Sequence, residues 1–334
     1  MRVFWLLMAF FFSLNLKGQD IHFSQYYNSP LTLNPGFTGW YEGDFRVANT
    51  YRSQWSSLDP GYITNAFSFD KQFNIGAQQF SGGLLFVYDR SGINYLKSAR
   101  AGLSLAWNKQ FDIHSITIGI QENFIFKSID RSKITLPEQF NQNTGYFDPG
   151  MPNNESVLDD KRTYGDFNAG IGYQLTLDRH TAKVGFAIFH LNKPKDTFFN
   201  TNNKLPWRKC VTLSDAFLLN DNITLTGQLL FMEQVKANEW VPGVTATRKL
   251  DIENSKFKEV SAGLYVRTSK GSGTDAIIPV LAVKYDLFDV AVSYGVNISG
   301  LHTATASRGG FEISVIYTAL SSKLFKIKIP CDRY

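Results

Sequence analysis

Segments that alternate between apolar and polar side chains recur along this chain, and no uncharged apolar run of helix length follows residue 18. In one such segment Phe167, Ala169, Ile171, Tyr173 and Leu175 share one face, while Asn, Gly, Gln and Thr occupy the other. A period of two indicates a β-strand, and about ten residues is the length with which a tilted strand crosses a bilayer. The alternation therefore predicts an all-β fold, with a transmembrane antiparallel barrel as the favoured architecture.

Composition supports the barrel without deciding it. Aromatic residues make up 15% of the chain, and the mean hydropathy is only −0.17. A membrane barrel has this weak overall hydropathy because only alternate residues meet lipid. A soluble all-β protein remains an alternative on composition alone. The formal charge of +5 is too small to indicate nucleic-acid binding, and two cysteines cannot form the disulfide framework of a small secreted domain.

The alternation predicts about fourteen strands. They lie near residues 44–54, 62–70, 80–89, 99–108, 115–127, 165–177, 181–191, 210–219, 222–232, 241–248, 258–268, 276–286, 288–298 and 309–318.

The lengths of the connections between these strands also favour a barrel. The fourth, sixth, eighth and twelfth connections are short, whereas the fifth (128–164) and seventh (192–209) are the longest. Bacterial barrels have short periplasmic turns and longer outer loops, and a soluble sandwich has no reason to sort its loops in this way. The first connection, 56–61, breaks the pattern. An even number of strands places both ends of the chain in the periplasm.

The N-terminus has the form of a secretory signal peptide. Arg2 is followed by an apolar run over 3–14 and by Gly18, and the run is too short to span a membrane. We therefore expect export to the outer membrane, with residues 1–18 as signal peptide and 19–43 as a periplasmic segment before the first strand. Residues 44–318 are expected to form the transmembrane barrel, and 319–334 a periplasmic tail.

The sequence contains no recognisable catalytic or metal-binding pattern. The five histidines are scattered, and neither HExxH nor GxSxG occurs. His190 near Asn192 is a conceivable fragment of a hydrolase site, but a polar residue at a strand end is the better interpretation. The sequence therefore predicts a protein that is not an enzyme and that uses no metal or cofactor.

Two groups of motifs, one near each end of the chain, carry a family resemblance. The first reads HFSQYY (22–27), LNPGFTG (33–39), FRV (45–47) and YRSQW (51–55); the second reads ASRGGFEISVIY (306–317) and PCDRY (330–334). Together they resemble the PorP/SprF-like family, outer-membrane proteins of the type IX secretion system in Bacteroidetes-type bacteria. Between them the match is loose, through FDP (147–149), DF (166–167) and HLN (190–192).

The resemblance implies a barrel of the type IX secretion and gliding machinery. Such a protein would bind and help to secrete or retain a surface protein with a C-terminal sorting domain, such as a large adhesin. It would also contact periplasmic peptidoglycan-binding components and sit in outer-membrane lipid, with no nucleic-acid partner. The main alternative is a passive porin or hydrophobic-solute transporter, and an outer-membrane hydrolase is a further one.

The candidate partner-binding residues follow from the first motif group. Residues 22–27 could form a latch that folds into the lumen, a docking strip for a periplasmic partner, or an aromatic girdle at the membrane interface. Trp55 and Tyr317 are assigned to the lipid-facing belt, and Cys210 and Cys331 are expected not to be bonded to each other. The candidate residues are His22, Phe23, Ser24, Gln25, Tyr26, Tyr27, Arg52 and Gln54.

Overall fold

Fourteen antiparallel strands close into a barrel. The computed structural model describes residues 20–54, 61–92, 96–130, 139–148, 150–151, 159–198, 202–271, 273–300 and 308–319. Each barrel strand pairs with its neighbour along the chain, and the last pairs with the first. The barrel strands are β1 (Phe45–Gln54), β2 (Tyr62–Ile75), β3 (Gln78–Ser91), β4 (Leu96–Phe111), β5 (His114–Ser128), β8 (Lys161–Thr176), β9 (His180–Phe189), β10 (Arg208–Asn220), β11 (Ile223–Gln234), β12 (Ala237–Lys249), β13 (Phe257–Ser269), β14 (Gly273–Tyr285), β15 (Phe288–Asn297) and β16 (Gly310–Thr318). A small hairpin, β6 (Phe140–Asn141) and β7 (Tyr146–Phe147), lies in the connection between β5 and β8.

The predicted all-β barrel of about fourteen strands is confirmed. Every predicted strand corresponds to one barrel strand, and several extend further than the alternation indicated. The second strand, predicted over 62–70, continues to Ile75. Among the described residues, no helix is long and apolar enough to cross a membrane.

The two faces of the barrel wall have opposite polarity. On β5, Ile118, Ile120 and Phe124 are exposed on the outer face, while Gln121 and Asn123 are buried on the inner one. This inversion of the usual soluble pattern is typical of membrane barrels, which meet lipid outside and hold polar groups inside.

The connections divide between two rims. One, the short-turn rim, carries connections 76–77, 112–113, 177–179, 221–222, 250–256 and 286–287; the other, the long-loop rim, carries 55–61, 92–95, 129–160, 190–207, 235–236, 270–272 and 298–309. The two longest connections, 129–160 and 190–207, both lie on the long-loop rim. The barrel rule predicts that the short-turn rim is the periplasmic one.

Residues 20–43 form a lumenal plug. The plug contains two 3-10 turns, Tyr26–Asn28 and Pro35–Phe37, and a four-residue helix, α1 (Pro30–Leu33). Its first residue, Asp20, donates its N–H to Gln234 at the long-loop end of β11. Just beyond its last residue, the N–H of Asp44 donates to the carbonyl of Ala319 beside the short-turn rim. The plug therefore runs the whole length of the lumen.

This position corrects the expectation that residues 19–43 face the periplasm. Residues 20–43 lie inside the barrel because their polar groups bind inward side chains of the strands instead of water. The predicted signal peptide (1–18), Trp55, and tail residues 320–334 with Cys331 lie outside the described residues. Cys210 is buried with a free thiol.

Candidate functional site

The barrel closure brings the two groups of end motifs together. HFSQYY and LNPGFTG both lie in the plug, YRSQ lies on β1, and GGFEIS lies on β16. Strands β1 and β16 are neighbours, and their register places Arg52 opposite Glu312. Motifs almost 300 residues apart in sequence therefore meet where the barrel closes.

Glu312 anchors the part of the plug near the long-loop rim. Its carboxylate accepts the backbone N–H groups of Ser24 at 2.7 Å and Gln25 at 2.8 Å, and the guanidinium of Arg52 lies 3.3 Å away. Arg52 also donates to the carbonyl of His22 at 2.6 Å and to the side chain of Gln54 at 2.8 Å. Glu312 is fully buried, and charge-assisted bonds from two amides and a cation offset its desolvation.

The side-chain amide of Gln25 forms hydrogen bonds with the same part of the wall. Its Nε2 donates to Ser293 Oγ at 2.8 Å and to the carbonyl of Glu312 at 3.3 Å. Its Oε1 accepts from Ser314 Oγ at 2.7 Å and from Asn28 Nδ2 at 3.0 Å. Both halves of this buried amide are thus satisfied, as an interior polar group requires.

A four-charge cluster holds the first residue of the plug. The His190 ring lies between two carboxylates, with Nδ1 at 2.8 Å from Asp166 and Nε2 at 2.7 Å from Asp20. Arg208 lies 3.6 Å from the same oxygen of Asp20. Carboxylates only accept, so both ring nitrogens must donate and the imidazole is protonated. The cluster is then electrically neutral inside the barrel.

The electrostatics of this cluster agree with its geometry. Burial opposes charge on His190, but the carboxylates of Asp20 and Asp166 outweigh burial and raise the pKa of His190 above its ordinary value. Burial likewise opposes charge on Asp20, yet His190 and Arg208 bring the pKa of Asp20 well below its ordinary range. Each charged group therefore stabilises the other in the docked plug.

A bidentate ion pair anchors the part of the plug near the short-turn rim. Arg46 donates to the fully buried carboxylate of Asp70 through Nε at 3.0 Å and Nη2 at 2.7 Å. The same carboxylate accepts the N–H of Gly39 at 2.7 Å, and Arg46 donates to the carbonyl of Phe37 at 3.1 Å. This parallel pairing is the strongest geometry available to an arginine and a carboxylate.

The NPG turn of the plug lies against glycines of the wall. Asn34 caps the turn by accepting from the N–H of Gly36 at 2.7 Å, and its Nδ2 donates to the carbonyl of Ile171 at 3.0 Å. A Cβ on Gly119 would overlap the plug backbone at Pro35, and one on Gly170 would overlap the Asn34 side chain. These glycines therefore permit the close approach of two backbones.

The opposite face of the plug is aromatic, and it contacts the barrel wall mainly through ring contacts. The Tyr27 ring stacks on Tyr265 with centroids 5.5 Å apart, and Tyr26 meets Tyr265 edge-on at 6.4 Å. Below this contact, a cavity of about 520 Å³ separates the plug from β9–β11, and a second of about 250 Å³ reaches β12–β15. Hydroxyl and amide side chains line the barrel side of these cavities, among them Thr181, Thr212, Ser214, Thr226, Gln228, Thr245 and Thr247.

Most of the predicted candidate residues lie inside the barrel. Phe23, Ser24, Gln25, Tyr26 and Arg52 are buried; His22, Tyr27 and Gln54 are half-buried. Of the three interpretations of residues 22–27, their contacts match the latch. Their role in binding a partner stays a prediction.

Sequence reasoning missed Asp20, Asp70, Asp166 and Arg208, and interpreted His190 as an unremarkable strand-end residue. The available signal was a set of charged residues on inward strand positions, where alternation otherwise predicts only modest polarity. Tyr317 lies on the outer face, with its ring 4.9 Å from Phe288 and 5.8 Å from Phe45. In the described part of the chain, no group of three or more His, Cys, Asp or Glu side chains could hold a metal ion.

Comparison with solved structures finds other barrels at low identity. CymD, a monoaromatic hydrocarbon channel, is 10% identical with a TM-score of 0.48, over 89% of this chain and 94% of that one. The toluene transporter TodX of Pseudomonas putida is 9% identical with a TM-score of 0.47, over 86% and 92%. CdiB from Acinetobacter baumannii is 10% identical with a TM-score of 0.47; the match covers 83% of this chain and 60% of CdiB. At such values the likeness carries no argument about function.

No curated protein matches this chain. A family model does match, over residues 15–317, and it describes the type IX secretion system membrane protein PorP/SprF. The match covers the plug, the first motif group, ASRGGFEISVIY (306–317) and the barrel strands up to residue 317, and it ends before PCDRY (330–334). The chain therefore belongs to the PorP/SprF family of type IX secretion system membrane proteins.

Proposed function

We propose that this protein is a non-enzymatic outer-membrane barrel that binds a secreted surface protein, such as a large adhesin, and helps to secrete or retain it. In this proposal the long-loop rim faces the cell exterior, and the short-turn rim faces periplasmic anchor components of the secretion and gliding machinery. Family membership supports a role in the type IX secretion system, and the plug supports binding of a surface protein over free passage of solutes.

The observation that carries the proposal is the charged docking of the plug. A passive porin needs a water-filled path, whereas here three separate carboxylates, Asp20, Asp70 and Glu312, fix or bind a segment that runs the length of the lumen. Burying such charges is costly unless they are fully paired. A chain that retains three such anchors in its lumen is built to keep the segment in place.

The rival function, passage of a hydrophobic solute, has one observation in its favour. The cavities beside the plug reach residues such as Trp40 and Thr181 near the short-turn rim. Tyr26 and Tyr27 of the plug line the larger cavity and their rings contact Tyr265, so we expect that a solute would need the plug to move.

A deletion strain separates the two functions. We expect one or a few surface proteins to be depleted while uptake of small solutes is nearly unchanged. The measurement is a surface proteome beside an uptake assay. An unaltered surface proteome together with impaired uptake would reject client binding in favour of transport.

Variants of the plug anchors then test the site. Gln25→Ala and Arg52→Ala should reduce display of the client at least several-fold while the barrel still assembles, because both residues fix the plug and neither faces lipid. Arg248→Ala removes an exposed arginine of β12 and should leave display unchanged. Equal display in all three strains would remove the plug anchors from the proposed site.

A further inference from the structure

One carboxyl group lies on the lipid-facing side of β5. Between Ile116 and Phe126, the outward residues of this strand are Ile116, Ile118, Ile120, Glu122, Phe124 and Phe126. Glu122 is the only one of the six that is polar. An ionisable side chain in such a row is costly and commonly marks a functional contact.

The position of Glu122 along the strand prevents its carboxyl group from reaching water. From Ile116 to Phe126 the strand advances ten residues, which at about 3.3 Å per residue and a tilt of about 40° is about 25 Å along the barrel axis. That is the height of the apolar band of a membrane barrel. Glu122, four residues before Phe126, lies about 10 Å inside the band on the same scale, beyond the reach of its short side chain.

Glu122 has no partner in the part of the barrel that the structure describes. No hydrogen bond or ion pair involves its carboxyl group there. Its cross-strand neighbours are Leu103 on β4 and Phe167 on β8, both exposed and apolar. In contrast Asp215, which faces outward on β10, lies 3.0 Å from the ring of His180 on β9.

Several positions diagonally across from Glu122 carry small residues. The outward positions beside it include Ala101 on β4 and Gly165 and Ala169 on β8. A Cβ placed on Gly165 would meet nothing within 4 Å. Small residues allow another chain to approach closely in a bilayer, where packing and hydrogen bonds replace the hydrophobic effect as the driving force.

We infer that the outer face of β4, β5 and β8 around Glu122 is a lateral interface for a second membrane-spanning protein that presents an arginine or lysine at the same depth. Hydrocarbon chains offer no donor to a carboxyl group, so lipid leaves the group unsatisfied. A second copy of this chain, packed symmetrically through the same face, would set one Glu122 against another. An opposite charge is the complement that this face lacks. The inference rests on the barrel wall alone and is independent of the proposed function.

Photo-crosslinking in the native outer membrane tests the interface. A photoreactive residue at Leu103 or Phe167 should give an adduct with a membrane-spanning protein, while one at Leu281, an exposed outward residue of β14, should not. Glu122→Leu should lower the adduct yield at least tenfold, and Ile120→Leu, next to it in the row, should leave the yield unchanged. Both variants should retain wild-type heat-modifiable migration, which shows that the barrel has folded.

A charge reversal completes the test. Glu122→Lys should abolish the adduct, and exchange of the partner's basic residue at that depth for glutamate should restore it. An adduct formed with lipid only, or with a second copy of this chain, would overturn the inference. Equal yields at Leu103 and Leu281, or an adduct that survives Glu122→Leu, would also overturn it.

Discussion

The two sides of the lumen hold the plug by different forces. On one side, which we call the bonded wall (β1–β5, β8, β15 and β16), buried hydrogen bonds reach the plug at Ser24, Gln25, Leu31, Asn34, Thr38 and Gly39. On the other, the cavity wall (β10–β14), the contacts are mainly aromatic and aliphatic, and open volume remains beneath them. At the long-loop rim the cavity wall also contributes charged groups, because Arg208 lies near Asp20 and Glu239 lies near His22.

This difference determines how precisely each wall positions the plug. Hydrogen bonds are directional, so the bonded wall fixes the height and rotation of the plug. Apolar burial is non-directional, so the cavity wall stabilises the plug without specifying one position. The plug therefore has one defined position against the bonded wall and unfilled volume toward the cavity wall.

The largest expected difference between the walls concerns charge. Asp70→Asn leaves the buried guanidinium of Arg46 without a carboxylate and should lower the free energy of unfolding by about 3–5 kcal/mol, the cost of an uncompensated buried charge. Lys284→Gln on β14 of the cavity wall breaks a half-exposed pair, 3.6 Å from Asp289, and should cost less than about 1 kcal/mol. Urea unfolding of the refolded barrel in lipid vesicles measures both. Similar losses for the two variants would contradict the distinction between the walls.

A smaller effect is expected from added volume. Gly119→Ala places a methyl group against the backbone of Pro35 and should destabilise plug docking by about 1–3 kcal/mol, as overpacking does. Ala216→Val adds more volume, but beside the 520 Å³ cavity, and should be close to neutral. Gly227→Ala, where a Cβ meets nothing, controls for the loss of glycine from a strand. Conductance of the barrel in a planar bilayer should rise when the plug is displaced. A higher conductance for Ala216→Val, with no change for Gly119→Ala, would contradict the assignment of the two walls.

The strands were predictable because their signal is local. Each strand repeats apolar and small or polar residues with period two, and lipid outside enforces that pattern on every strand independently. Strand ends were less well defined: β2 continues through Phe73 and Ile75, beyond the predicted residue 70, because pairing with β3 extends the ladder past the alternation.

The plug could not be derived in the same way. Residues 20–43 have no periodicity, and their conformation depends on partners such as Glu312, far away in sequence. Two local signals were present but ambiguous. The sequence NPG (34–36) is typical of a turn, but it does not indicate where in the fold the turn lies. The inward glycines of β8, including Gly170, allow a backbone to pass close to the wall, but they do not identify which segment does so.

The smallest expected effect is a pH dependence at the long-loop end of the plug, where the two walls meet. His190 is flanked by Asp20 and Asp166, with Arg208 beside Asp20. Because the pKa of His190 is raised in the docked state, its contribution is complete below the pKa of a free histidine, about 6.5. That contribution is lost as the pH rises through the raised value. The pKa of Asp20 is lowered, so its contribution is present above about 3.9, the pKa of a free aspartate, and is lost in stronger acid.

Docking of this end should therefore be firmest between about pH 4 and 6.5 and should weaken on the alkaline side, by about 1 kcal/mol as for one net hydrogen bond. A spin label at Ile21→Cys, next to Asp20, measures the weakening as increased mobility above neutral pH. His190→Gln keeps a donor but cannot titrate, so the same label in that variant should show a flat profile over this range. A matching label at Thr32→Cys, on α1 away from the cluster, should be insensitive to pH in both proteins. If the Ile21 label became less mobile as the pH rose, the protonated histidine would not be what ties the two walls together at this rim.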